Sequence, residues 1–269
     1  MISSTVEDYL KAMLKMEDMK QRASTSTVAR HLAVADATVT DMLRKLQKAG
    51  LLEYKPYYGA TLTLEGRRVA VEILRRHRLI ELFLHEVMGY GWDQVHDEAE
   101  KLEHVVSDFF VERLDVLLGH PTKDPHGEVI PDAEGYREAD DDVCLMDSEL
   151  GEYAVRRVSN DDPDFLAYLQ KERLVPGAVI SLLDRAPFQG PLKLQIKGNS
   201  DPIYIGIEAA KNIHVSSTEP QRQARVTRSS KSSTSAQRKP NERQVSSALA
   251  KVVPASRRTK VPTEEGKSS

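Results

Sequence analysis

The sequence predicts a mainly α chain with a β-rich part toward its C-terminal end, and three observations carry the prediction. Apolar residues recur at helical intervals through most of residues 4–118, the period of helices with one buried face. A short helical pattern, a tight turn, a longer helical pattern and two short runs around a glycine-containing turn follow one another within 24–64. That order is a helix-turn-helix with a hairpin wing behind it. After residue 142 the pattern shortens to strand length, and after 214 large apolar residues almost disappear.

Each element has its own signal. Ser4 and Glu7 have capping-box spacing ahead of Val6, Tyr9, Leu10, Met13 and Leu14, which gives a first helix over about 5–19. Ser24, Thr25, Ser26 and Thr27 offer N-caps for a short helix through His31 and Leu32. A turn at 33–36 leads to a helix from Thr38 to Ala49, with Val39, Met42, Leu43 and Leu46 on one face and Gly50 as its stop. The wing is 51–55 and 60–64 around Pro56, Tyr57, Tyr58 and Gly59. Two long helical patterns follow, 65–87 closed by Gly89 and 93–118 closed by Gly119. A Pro-, Gly- and Asp-rich stretch to Asp142 reads as a linker. Strand-like runs at 152–158, 178–183, 192–196 and 203–207, with a short helix at 164–170, predict a small β-barrel. Residues from Val215 onward cannot build a core and are expected to be disordered.

The formal net charge of -3 conceals an asymmetry. Residues 215–269 hold 12 basic and 4 acidic residues, a local +8, against 26 basic and 37 acidic, or -11, in 1–214. The single cysteine, Cys144, excludes a disulfide framework and a cysteine-based zinc finger. No apolar run approaches the roughly 18 residues of a membrane span, and Glu7, Asp8 and Lys11 stand where a signal peptide needs apolar residues. A soluble chain in a reducing, cytoplasmic setting, without a membrane partner, is the expectation.

The sharpest chemical signal lies in the second long helical pattern. His96, Glu100, Glu103 and His104 stand at offsets 0, 4, 7 and 8, near one helix face. His77 and Glu81 have i, i+4 spacing on the preceding helix. Antiparallel packing of the two helices would converge imidazoles and carboxylates into a metal site. A solvated charged face with ordinary histidines has the same spacing, so spacing alone leaves both readings open.

His77-Arg78-Leu79-Ile80-Glu81, His96-Asp97-Glu98-Ala99 and Glu103-His104 together resemble the diphtheria toxin repressor / manganese transport regulator family. Thr38-Val39-Thr40, Thr63-Leu64-Glu65-Gly66-Arg67, Pro125-His126-Gly127 and Ile130-Pro131 add to that resemblance, which covers about 1–214. It implies a non-enzymatic, dimeric, metal-activated transcriptional repressor of metal-uptake genes that binds double-stranded operator DNA and no small organic substrate. It divides the chain into a winged helix-turn-helix DNA-binding domain (1–65), a helical metal-binding and dimerisation domain with linker (66–142), an SH3-like, FeoA-type domain (143–214) and a basic disordered tail (215–269).

The resemblance further implies two metal sites. The activating one would use Asp8, Glu100, Glu103 and His104. The second would use His77, Glu81 and His96, completed by Asp161 as first choice or Asp164 as second. Some long members use a Cys and a His of the linker for this metal; here the Cys position is Asp124 and His126 is kept. Iron-responsive relatives carry Met and Cys at the positions of Asp8 and Glu100, so carboxylates at both resemble the manganese branch. Oxygen ligands with one imidazole suit Mn2+ or Fe2+. Lys11 departs from the shorter manganese regulators, which have a further Glu there. Metal joining Asp8 on the first helix to Glu100, Glu103 and His104 would select one spacing of the two recognition helices.

For DNA, Ala37, Thr38, Thr40 and Asp41 are expected to reach base edges or phosphates, with Arg44 and Lys45 further along the helix. A helix-surface acid without contacts is the equal alternative for Asp41. Lys55, Tyr57, Arg67 and Arg68 are phosphate candidates around the wing. Tyr90 and Trp92 are expected at the helix-helix corner, and Phe109 and Phe110 in the core or a dimer interface. The basic tail, present twice in a dimer, would add salt-dependent affinity for DNA or be a solvated extension without function. A helical di-metal enzyme is the remote rival, since paired Glu-x-x-His motifs, a nucleophile elbow and a phosphate loop are missing.

Overall fold

The computed structural model describes residues 3–135 and 141–218. Helix α1 (Ser4–Asp18) starts from Ser3, whose side chain makes no capping hydrogen bond. The expected capping box does not form, because the Glu7 carboxylate turns away to His104, 2.6 Å distant. Helix α2 (Thr25–His31) is capped by Ser24, whose hydroxyl accepts from the Thr27 N–H. Helix α3 (Asp36–Lys48) starts two residues ahead of the expected Thr38, with Asp36 in its first turn, where the helix dipole favours an acid. Gly50 follows at φ +75°, as a C-terminal stop requires.

Strands β1 (Leu52–Lys55) and β2 (Gly59–Leu62) pair antiparallel to form the wing. Gly59 has φ +96°, and a Cβ there would lie 2.8 Å from the Ala23 carbonyl oxygen. Tyr9, Met13 and Met16 of α1 are buried with Val28, Val39, Leu43, Leu46 and Leu52 in the winged-helix core. The next face of α1, Leu10 and Leu14, packs on Val69, Ala70 and Ile73 of helix α4 (Leu64–Glu86). Helix α1 is therefore shared by the winged helix and the helical domain.

The pattern read as one helix over 93–118 is two. Helix α5 (Val95–Leu102) and helix α6 (Asp108–Leu117) are separated by a turn. Ser107 caps α6 by accepting from the Phe110 N–H. Arg76 of α4 donates to the Glu103 carbonyl at 3.0 Å, satisfying an acceptor that a continuous helix would have used. Helical spacing does not see such a break, since both pieces keep their apolar residues toward α4.

The stretch read as a linker is packed where it is described. Asp124, His126 and Ile130 are buried, and Asp124 Oδ1 accepts from the backbone N–H groups of His126 and Glu128. Beyond it lie β3 (Val143–Cys144), β4 (Gly151–Val158), α7 (Pro163–Lys171), β5 (Val179–Arg185), β6 (Leu192–Ile196), β7 (Ile203–Ile205), α8 (Ile207–Lys211) and β8 (Ile213–Ser217). They form an antiparallel six-stranded sheet in the order β3-β8-β4-β5-β6-β7. Its register shifts between Val155 and Arg157 and between Leu182 and Asp184, bulges that bend a sheet.

The run expected to reach Ile207 stops at Ile205, because Gly206 opens α8. Strand β8 continues three residues past the expected limit at 214, since Val215 is buried opposite Val155 and Val143. Residues 219–269, most of the stretch read as a disordered basic tail, lie outside the described residues. Trp92 does not pack at a helix corner: it joins the core of this sheet and stacks on His126, with ring centroids 5.7 Å apart. Phe109 and Phe110 are exposed and belong to no core. Among the described residues no helix is long and apolar enough to cross a membrane.

Candidate metal centre

Helix α1 turns Glu7, Asp8, Lys11 and Lys15 toward α5 and the loop after β4. Glu7 and Lys11, and Lys11 and Lys15, are one i, i+4 step apart and share a stripe. Asp8 meets Glu100 of α5 and Glu103 and His104 of the turn behind it. These four residues each offer a ligand atom within 4.8 Å of the others. His104 Nε2 lies 3.1 Å from Asp8 Oδ1 and 3.7 Å from Glu103 Oε1.

Glu7 orients this group. Its carboxylate accepts from His104 Nδ1, which leaves Nε2 to face the carboxylates. Sequence reading assigned Glu7 to a cap and missed this role; its place one residue before Asp8 on the same helix was the available signal. Lys11 Nζ donates to Glu100 Oε1 at 2.5 Å and to Glu103 Oε1 at 2.7 Å. Asp8 Oδ1 is buried without a hydrogen-bond partner among the described residues, although the His104 ring nitrogen is close. Burial raises the Asp8 carboxyl above its ordinary range.

A second cluster adjoins the first through Glu103. His77 is buried, with Nδ1 at 2.5 Å from Glu103 Oε2 and Nε2 at 3.0 Å from Glu81 Oε1. Burial opposes its charge, but Glu81 and Glu103 outweigh burial and hold His77 at about 9. Burial likewise opposes ionisation of Glu81, yet His77 keeps that carboxyl well below its usual range. His96 Nδ1 is 3.2 Å from Glu81 Oε1. His77, His96 and Glu100 form one group with converging ligand atoms, and Glu81, Asp124 and His126 form another.

His126 Nε2 donates to the Trp92 carbonyl at 2.7 Å, so Nδ1 is the nitrogen facing Glu81, 3.9 Å away. Burial, with Glu81 adding to it, pushes Asp124 up to about 6. Asp161 Oδ2 lies 3.7 Å from His96 Nε2 but receives a shorter bond, 2.7 Å, from Lys15 Nζ. Asp164 is exposed in the first turn of α7, and neither Asp161 nor Asp164 joins one of these groups among the described residues.

The donor set fits a divalent cation. Carboxylate oxygens and imidazole nitrogens from separate elements converge, a buried carboxylate oxygen stands without a hydrogen bond, and second partners orient His104 and His126. Among the described residues Cys144, the chain's single thiol, sits instead at β3, near the Ala210 and Lys211 carbonyls.

On α3, Ala37, Thr38, Asp41, Arg44 and Lys45 are exposed, and Thr40 is half-buried. The Thr40 hydroxyl donates to the Asp36 carbonyl of its own helix. Asp41 and Arg44 lie 3.7 Å apart, a loose surface pair. At the wing, Lys55 and Tyr57 are exposed, Arg67 is paired with Glu17, and Arg68 with Glu65 and Glu72.

A winged helix whose first helix delivers a carboxylate into a histidine–carboxylate cluster, with a small antiparallel β domain behind it, defines the class: a DNA-binding regulator built around a cation-responsive helical domain. Residues 1–60 match the iron dependent repressor N-terminal DNA binding domain. Residues 63–132 match the iron dependent repressor metal binding and dimerisation domain, and 147–217 match the FeoA domain. The chain is 31% identical over 159 residues to the diphtheria toxin repressor of Corynebacterium glutamicum, across 57% of this chain and 70% of that one. It is 34% identical over 127 residues to the iron-dependent repressor IdeR of Mycobacterium tuberculosis, across 47% and 55%. A solved manganese-dependent transcriptional repressor in complex with manganese is 36% identical, with a TM-score of 0.72, over 79% of this chain and 99% of that one. The chain belongs to the iron-dependent repressor family of metal-dependent, DNA-binding transcriptional regulators, a family of non-enzymatic proteins.

Proposed function

We propose that this chain is a Mn2+-activated repressor of metal-uptake genes, in which Asp8, Glu100, Glu103 and His104 form the activating site. The observation that carries this reading is the placement of Asp8. It stands on the helix whose Tyr9, Met13 and Met16 are embedded in the winged-helix core, while its three companions belong to α5 and the turn after it. Asp8, Glu100, Glu103 and His104 would hold a divalent cation there, whose charge would balance the three carboxylates. Asp8 then ties the winged helix to the helical domain, and the paired recognition helices of a dimer are held at one spacing. His77, Glu81 and His96, with Asp124, His126 and Asp161 around them, form the second site in this reading.

Carboxylates at Asp8 and Glu100, with no thiol or thioether in the group, support Mn2+ over softer metals. Ala37, Thr38, Thr40 and Asp41 would read the operator, with Arg44 and Lys45 on its phosphates. Val105, Phe109, Phe110, Val116 and Leu117 are exposed on and beside α6 and form the surface for a second copy. The test is a gel shift of an uptake-gene operator, with Mn2+, Fe2+ and chelator in parallel. Wild type is expected to bind with Mn2+ and not with chelator, and Asp8→Ala to lose the stimulation. Unchanged metal-dependent binding by Asp8→Ala defeats the assignment, and stronger activation by Fe2+ defeats the metal.

A further inference from the structure

Lys11 and Lys15 stand one helical step apart on α1: the Lys11 ammonium rests on Glu100 and Glu103 of the first candidate group, and that of Lys15 on Asp161, which lies beside His96. Lys11 Nζ bridges Glu100 Oε1 and Glu103 Oε1 at 2.5 and 2.7 Å, with 16% of its side chain exposed. Lys15 Nζ takes Asp161 Oδ2 at 2.7 Å, the same oxygen that lies 3.7 Å from His96 Nε2. A surface lysine is ordinarily a solvated charge on a mobile stem. Lys11 is instead enclosed by two acids, one of which, Glu103, has a fully buried side chain.

We propose that Lys11 and Lys15 are resident counter-cations of the two metal groups, so that each divalent ion binds in exchange for an ammonium of α1. The inference rests on the metal-site reading above. Its physical basis is that one carboxylate oxygen cannot keep a short charge-assisted bond to an ammonium and also give its lone pairs fully to a metal. Without metal, the lysines offset the mutual repulsion of the acids and hold α1 in place. On loading, they release Glu100, Glu103 and Asp161. Both exchanges act on one helix, so occupancy of either group alters what secures the winged helix. The lysines thereby set the ion concentration at which the regulator responds.

The experiment is a titration of the full chain with Mn2+, following the aquo-ion signal by electron paramagnetic resonance, beside thermal melts with chelator or saturating Mn2+. Asp8→Ala identifies the class of sites that belongs to the activating group. If Asp8→Ala leaves Mn2+ loading unchanged, the metal-site reading has failed and this inference falls with it. Once that class is identified, Lys11→Met is expected to tighten it about tenfold. Lys11→Met should also melt lower than wild type with chelator, while the two converge with Mn2+. Lys11→Arg, which keeps the cation, is expected to stay near wild type. Lys15→Met should tighten the remaining class, and it carries the test if Lys11→Met does not fold. Lysine-to-methionine variants that bind Mn2+ as wild type does, or more weakly, overturn the inference.

Discussion

At the scale of single residues, much of the site's chemistry belongs to partners outside the four candidate ligands. Glu7 is outside the ligand group and pairs with Arg76 as well as His104, yet its contact with the far nitrogen of His104 decides which nitrogen faces the cluster. Glu7→Ala is expected to lower Mn2+ affinity about 10–100-fold while the far-ultraviolet dichroism of the chain stays as it was. An unaltered affinity would show that His104 needs no orienting partner. His77 makes the pH dependence explicit. Its folded-state value of about 9 lies above the ordinary 6.5, so between these values the folded chain binds the proton more tightly than the unfolded chain. The His77 contribution to stability in chelator is therefore full below pH 6.5 and is lost as pH rises toward 9. The corresponding window of Asp124, from 3.8 to about 6, lies lower. Melting temperature measured against pH should fall across the upper window in wild type and flatten in His77→Gln.

At the scale of elements, α1 has three working faces. One is buried in the winged-helix core, one packs on α4, and the third carries Glu7, Asp8, Lys11 and Lys15. Helical spacing made the first two visible as a single broad apolar stripe, but it could not say what the polar stripe faced. Burial of Val39, Leu43 and Leu46 leaves the opposite side of α3 free. Lys45→Ala on that side is expected to weaken binding to every duplex alike and to reduce the slope of log affinity against log salt by about one. A loss confined to one sequence would instead make Lys45 a reader of bases. At the break between α5 and α6 the Glu103 carbonyl accepts from Arg76 of α4, 27 positions away, while Ser107 caps α6 locally.

At the scale of the molecule, the proposed reading assigns the exposed aromatic and aliphatic groups on α6 to the contact with a second copy. Phe109 is 71% exposed, so Phe109→Glu should leave the fold intact. Sedimentation is expected to show this variant as a monomer, with operator affinity lost because two half-sites need two linked recognition helices. A dimer of unchanged stability would move the interface elsewhere. Trp92 is buried in the core of the described β domain, and its carbonyl accepts from His126. The second candidate site is thus assembled from α4, α5, the packed connecting stretch and the loop after β4.

The helix-turn-helix, its wing and the histidine–carboxylate spacing were legible in the sequence, because periodicity and turn residues are local properties. So was the membership of Asp8, Glu100, Glu103 and His104 in one group, though this came through resemblance and not through spacing. Tertiary structure alone decided that Glu7 orients His104, that Lys11 occupies the carboxylates and that Asp161 is held by Lys15. It also decided that Trp92 belongs to the β core and that Val215 continues a strand. The reason is physical: a side chain's period names the face it occupies, but its partner is chosen by helices and loops that arrive from 34 to 146 residues away. Hydrogen bonds, ion pairs and burial at such separations exist only once the chain has folded.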